Sequence, residues 1–199
     1  MGRRPASQTV SRQDILDAAA RVFHERGYHG ATMQDISAAV GLTAGSLYHH
    51  FSGGKEAILM AVLEAGLAQV TAELQALAGS PLPPDEKLRR AICIHVTSVT
   101  EHMTVAALMA FEMRTALSLP EAPARLLAGR DAFERLYRQM IADGITAGLF
   151  RPVDVGVFTR ALLGAANWVG VWYRPEGQLK GVDIAEQIAD IFLNALRAG

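Results

Sequence analysis

The segment from Thr32 to Lys55, TMQDISAAVGLTAGSLYHHFSGGK, holds the residues whose types and spacing point most directly to a chemistry. Thr43, Ala44, Gly45 and Ser46 are small or carry a hydroxyl, and they open a short helical stretch. Small side chains let the N-terminal end of such a helix approach base edges closely, and its free N–H groups favour a nearby phosphate. Tyr48 and His49 follow on the outward face, while Leu47 and Phe51 point back to a core. Lys55 closes the segment. The implied chemistry is non-covalent: a short helix set into the major groove of DNA.

The elements that must position these residues are legible locally. Thr32 reads as the cap of a first helix, with Asp35 three residues on at the capping-box position. Ile36 and Val40 share a buried face. Gly41 ends that helix in the left-handed conformation. Thr43 caps the second helix, Ala44 to His50, and Leu42 with Leu47 occupies the two staple positions. A preceding amphipathic helix spans 11–26, with Ser11 at its cap and Ile15, Leu16, Ala19, Val22 and Phe23 on one face. Gly27 and Tyr28 end it. The result is a three-helix unit carrying a helix-turn-helix. A basic arm, Gly2-Arg3-Arg4-Pro5, precedes it and suits phosphates or a minor groove.

ILDAAARVFHERGYHGATMQDISAAVGLTAGSLYHHFSGGKEAIL resembles the N-terminal DNA-binding region of TetR-type transcriptional regulators. The matching pieces are Ile15 to Phe23, Gly27-Tyr28, Thr32, Ile36, Ala39, Gly41, Leu42-Thr43, Leu47-Tyr48, Phe51 and Lys55-Glu56. The resemblance implies that Thr43, Ala44, Gly45 and Ser46 lie at the groove, and that Thr32, Tyr48, His49 and Lys55 touch the phosphate backbone. Gly53-Gly54 makes the spacing from Phe51 to Lys55 one residue longer than the commonest pattern.

Whole-chain numbers agree with a small domain followed by a larger one. The chain has 199 residues, half of them hydrophobic, and a net charge of -1. Residues 1–55 hold six Lys/Arg against four Asp/Glu; residues 56–199 hold 13 against 16. A modestly basic end on a slightly acidic body suits sequence discrimination rather than indiscriminate coating of nucleic acid. The expected domains are 1–55 and 56–199. The single cysteine, Cys93, excludes an internal disulfide and reads as a small buried residue. No signal peptide and no uncharged apolar run of about 18 residues is read, so the expectation is a cytoplasmic protein with no membrane partner.

After Lys55 the pattern is helical throughout: 56–78, 85–102 with Asp85 as its cap, 105–117, 124–147, 153–173 and 182–197. The expected fold is all-α with about nine helices. The 153–173 stretch, RALLGAANWVGVWY at its heart, is apolar almost all round, and Gly164, Ala165, Ala166 and Gly170 allow close helix approach. Together with the last helix it suggests a homodimer seam, with Trp172, Ile188 and Phe192 in the interface. A dimer lets two short helices read a palindromic operator in successive grooves. For a small-molecule effector, Met103, Met109, Phe111 and Met113 offer a pliable apolar lining, Arg114 a cationic partner for a head group, and Trp168 a pocket wall or part of the seam. Ordinary core packing is the alternative for each methionine. Arg125 is a second candidate cation, and Glu112 and Glu121 are candidate surface partners for these arginines. The ending NWVGVWYRPEGQLKGVDIAEQIADIFLNAL is similar to a TetR subgroup of regulators of fatty-acid, sterol or aromatic acyl-CoA breakdown, which implies an acyl-CoA or fatty-acid effector.

Other chemistries find no support. His49-His50 are adjacent and diverge on a helix, and His95 and His102 are seven apart, too far for one metal ion. Ser52-Gly53-Gly54-Lys55 lacks the earlier glycine of a phosphate loop. No metal, no cofactor and no catalytic residue is expected. The combined expectation is a dimeric, ligand-responsive repressor that binds double-stranded operator DNA. The alternatives are an activator of the same architecture and a helical binding protein acting mainly through protein contacts.

Overall fold

A computed structural model describes residues 10–119 and 123–197. The basic arm at Gly2–Pro5 and Glu121 lie outside the described residues, as does the side chain of Arg114. Ten helices account for the described residues: α1 (Arg12–Gly30), α2 (Met33–Val40), α3 (Ala44–His50), α4 (Gly54–Ala78), α5 (Pro84–Glu101), α6 (Met103–Phe111), α7 (Met113–Leu117), α8 (Pro123–Thr146), α9 (Val155–Trp172) and α10 (Gly181–Leu196). No strand occurs among them; the one β-bridge pairs Phe150 with Arg197.

The tenth helix arises because the stretch expected as one helix over 105–117 is two. Glu112 adopts φ -99°, ψ -5°, which breaks the helical register between α6 and α7. The start of α5 also differs from expectation. Pro83 is the N-cap and Pro84 the first helical residue, with Asp85 inside the first turn rather than capping it. Proline suits that position because its missing N–H is one the helix would not have bonded.

The chain forms two compact units, Met1–Val62 and Leu63–Gly199. The division falls seven residues beyond the expected 55/56 boundary, within α4. Ile58, Leu59 and Val62 of α4 are buried and belong to the first unit. By length and composition α4 is apolar enough to cross a membrane. Its stripe of Ile58, Leu59, Val62, Leu63, Leu67, Val70 and Leu74 is buried in protein instead, the pattern of a core helix.

In the first unit α1 packs on α2 and α2 on α3. Its core is Ile15, Ala19, Phe23, Ile36, Leu47 and Phe51, with Ile58 and Leu59. In the second unit α5 is the spine, packing against α8, α9 and α10. Its Leu88, Ala91, Ile92 and Val96 are fully buried. Tyr137 of α8 is fully buried too, and its hydroxyl donates to the Ala91 carbonyl at 2.8 Å. Arg89 forks across to α10, reaching Glu186 at 2.9 Å and Asp190 at 2.6 Å.

Candidate nucleic-acid interface and effector region

The first unit presents α3 outward by a series of local devices. Ser11 and Asp14 close a capping box on α1, and Thr32 and Asp35 close one on α2. The Asp35 carboxyl accepts from the Thr32 hydroxyl and backbone N–H, which hold its pKa below the usual range, with the Arg26 guanidinium 2.9 Å away adding to this. Gly41 turns the chain at φ 76°, a conformation that a Cβ would strain. The Thr43 hydroxyl then accepts from the Ser46 N–H at 3.1 Å and caps α3. Leu47 and Phe51 are buried, so the opposite face of α3 faces out. On it Gly45 and His49 are exposed, Ala44 and Ser46 are half-buried, and Tyr48 is 49% exposed. Thr32 and Thr43 are exposed as well.

The extra glycine before Lys55 has a structural use. Gly54 takes φ 64°, where a side chain would be strained, and its N–H bonds the Phe51 carbonyl at 2.9 Å. This tight turn joins α3 to α4 directly. Lys55, in the first turn of α4, donates to the carbonyls of Tyr28 and Ala31.

The second unit carries an outward apolar stripe on α9. Val157, Ala161, Gly164, Ala165, Trp168 and Trp172 recur at helical spacing and all are exposed; Trp168 is 58% exposed and Trp172 48%. Trp168 therefore stands on the outer face beside Trp172, not in an interior pocket wall. On α10 Val182 and Ile191 are exposed, while Ile188 and Phe192 are half-buried. The ring of Phe192 meets Phe158 of the same chain edge-on, centroids 5.6 Å apart. Of the small residues expected to bring helices together between chains, Gly170 is used within this one. A Cβ there would lie 3.2 Å from the Ala106 Cβ and 3.3 Å from Val99. Gly164 faces open space.

Met103, Met109 and Met113 are half-buried along α6 and α7, and Phe111 is 60% exposed. None of them lines the groove that lies between α4 and α8. That groove, about 370 Å³, runs along Glu64, Leu67, Ala68, Thr71, Ala72 and Gln75 on one side and Arg125, Leu126 and Gly129 on the other. Small residues open it: a Cβ at Gly129 would come within 3.0 Å of Leu67. The alanine pair on α4 and the glycine on α8 were visible in the sequence, but nothing local says that they face each other. Arg125 contributes a guanidinium to the rim, with no ion pair to any described residue within 4.0 Å.

Two further groups of this unit differ in depth: His95 is buried, while Cys93, expected as a small buried residue, is only half-buried. His95 is buried against Phe133 and Tyr137, its Nε2 3.0 Å from Asn167 Oδ1. Burial disfavours its charged form and pulls its pKa down to about 4. Cys93 is half-buried, and its thiol donates to Glu186. Burial, with the neighbouring carboxylate, pushes that thiol up to about 12, so it stays protonated and inert. Among the described residues no three His, Cys, Asp or Glu side chains gather as metal ligands.

A capped helix-turn-helix on a small helical unit, followed by a larger helical unit with an apolar outer stripe, defines a DNA-binding regulator. Comparison with known proteins gives the family. Residues 15–62 match the family described as bacterial regulatory proteins, tetR family, and residues 81–196 match the tetracyclin repressor-like C-terminal domain. The transcriptional repressor KstR2 of Mycobacterium tuberculosis is 30% identical over 197 residues, covering 97% of this chain and 96% of the relative. The structure of PfmR from Thermus thermophilus, a TetR family regulator, superposes with a TM-score of 0.83 at 33% identity, covering 92% of this chain and 98% of that one. AibR, solved with isovaleryl coenzyme A and operator DNA, gives a TM-score of 0.80 at 30% identity, covering 93% and 97%. The chain belongs to the tetR family of bacterial regulatory proteins. It is a DNA-binding transcriptional regulator of the repressor type, not an enzyme.

Proposed function

We propose that this protein is a cytoplasmic, homodimeric repressor that sets α3 of each protomer into a major groove of a palindromic operator and leaves the DNA when an acyl-CoA or related acyl compound binds its second unit. The observation that carries the DNA half is the outward face of α3. It is short, capped at Thr43, and offers Ala44, Gly45 and Ser46 for close approach, with Tyr48 and His49 beside them and Thr32 at the start of α2 for phosphates. The α9 stripe of Trp168 and Trp172, with the exposed side chains of α10, supports the dimer: large apolar patches left in water mark interaction surfaces.

The effector half is supported by the likeness to AibR, which was solved with an acyl-CoA and its operator. It is supported further by the groove between α4 and α8, where an apolar floor of Leu67 and Leu126 meets the guanidinium of Arg125, which has no ion pair among the described residues. That pairing of surfaces suits a ligand with an apolar part and an anionic part. The half-buried methionines of α6 and α7 and the arginine at position 114 are further candidates for its acyl chain and phosphates. Because α4 is continuous from Gly54 to Ala78, a ligand that shifts it acts on a helix whose first residues belong to the reading unit.

The test is fluorescence anisotropy on the DNA upstream of this protein's own gene, at fixed salt, with and without medium- and long-chain acyl-CoA. Tight binding abolished by acyl-CoA is the expected result. Tight binding indifferent to every acyl-CoA overturns the effector assignment and leaves the DNA assignment standing. If that DNA is not bound, selection from a random-sequence pool decides, and failure to enrich any sequence overturns the repressor reading.

A further inference from the structure

We propose that Lys55 is a positioning residue of the DNA-reading unit rather than a phosphate contact: its ammonium clamps together the entry and the exit of the helix-turn-helix. The proposal rests on reading α2 and α3 as the DNA-reading pair. Lys55 Nζ donates to the Tyr28 carbonyl at 2.7 Å and to the Ala31 carbonyl at 2.9 Å, and it lies 4.4 Å from the centroid of the Tyr28 ring. Three attractions converge on one cation. Two of the three N–H donors of an ammonium are thereby used inside the unit.

The acceptors are placed by the end of α1. The helix is interrupted at Gly27, φ 68° and ψ 161°, and then makes one last turn to Gly30. Carbonyls at a helix C-terminus lack intrahelical donors and carry the negative end of the dipole, so a lysine there satisfies both. Tyr28 is buried and held against Phe23, ring centroids 5.8 Å apart, which fixes one acceptor. Ala31 is buried and directly precedes Thr32, the cap of α2. Lys55 itself follows the left-handed Gly54 that ends the turn after α3. One ammonium therefore ties the residue before α2 to the first turn after α3. Between those two points the chain is α2, the Gly41 turn and α3. Fixing both ends fixes the orientation in which α3 is presented.

A phosphate contact and a clamp predict different behaviour. Loss of a phosphate contact weakens every DNA sequence alike and lowers the salt slope of log K by about 0.9 per protomer. Loss of a clamp spoils the geometry needed to reach base edges, so it weakens the operator and spares random DNA. The experiment measures operator and random-DNA affinity of the full-length protein at several salt concentrations. Lys55→Met keeps the aliphatic stem and removes all three donors; Lys55→Arg keeps the charge but spreads its donors over a planar fork. Binding is measured below the melting transition of each variant.

For Lys55→Met the expected result is an operator affinity about tenfold lower, with random-DNA affinity changed less than about twofold and the salt slope lowered by less than half of 0.9. Lys55→Arg keeps the wild-type salt slope and loses several-fold of the operator-to-random ratio, and it decides the matter if the methionine variant does not fold. An arginine variant indistinguishable from wild type, or a methionine variant that loses operator and random DNA equally with the full drop in slope, overturns the clamp. A folded methionine variant with wild-type operator affinity also overturns it. If wild type itself prefers no sequence in the selection described above, the DNA-reading assignment falls and takes the clamp with it.

Discussion

The two units of this chain reach their structures by different routes. In the first, most of the decisive contacts span three or four residues: Ser11 with Asp14, Thr32 with Asp35, Thr43 with Ser46. In the second, the decisive polar contacts span tens of residues or more: Tyr137 to Ala91, His95 to Asn167, Arg89 to Glu186 and Asp190. A unit that must present one face of a short helix to DNA is built from caps and turns whose geometry is set locally. A unit proposed to hold a ligand and a partner is built from faces that meet only in three dimensions.

The contrast can be broken or sharpened by substitution. The largest effect is expected at the α9 stripe. Trp172→Glu, or Trp168→Glu, would place an unpaired charge in the proposed seam and raise the dimer dissociation constant by about a hundredfold or more. Sedimentation velocity reads this directly, and an intact dimer at low concentration would remove the residue from the seam. Next comes the small core of the reading unit. Leu47→Ala empties a fully buried site and should cost about 3 kcal/mol, seen as a lower melting transition and lost operator binding.

A comparable loss in the second unit should come from pH alone. His95 is neutral in the fold, with a pKa of about 4 against an ordinary 6.5. The unfolded chain therefore binds a proton that the folded chain refuses. Stability contributed by the neutral ring is complete above pH 6.5, falls as pH drops from 6.5 to 4, and levels off below 4. The window corresponds to about 3 kcal/mol. Urea unfolding at pH 7, 5.5 and 4 measures it, and a His95→Gln variant should lose less stability over the same range. A slope that persists undiminished in the variant would assign the acid sensitivity to other groups. The smallest effect returns to the reading unit: Thr43→Ala removes the cap of α3 and should cost about 1 kcal/mol, with operator affinity falling in step. A variant with unchanged stability and affinity would show that the α3 cap is dispensable.

How much was legible in the sequence follows the same division. The caps at Ser11, Thr32 and Thr43 and the turn at Gly41 were readable because each depends on residue type at a fixed short spacing. The outward placement of Tyr48 and His49 followed from the inward placement of Leu47 and Phe51. The break at Glu112 was not readable, since no proline or glycine marks it. Which helix Gly170 meets, and whether Trp168 belongs to a pocket wall or to the seam, stayed open for a common reason. Helical spacing says which residues share a face, but not whether that face meets the same chain or the outside.

By itself, then, the amino-acid sequence determined the all-helical class, the helix-turn-helix and the family, because periodicity, caps and turn residues act over a few residues. Tertiary structure alone decided that Lys55 turns inward onto the Tyr28 and Ala31 carbonyls, that Arg125 joins a groove with α4, and that His95 is held neutral. Each of these depends on backbone groups, helix faces or burial brought together from distant parts of the chain, and residue type and local spacing carry no record of which distant surface will arrive.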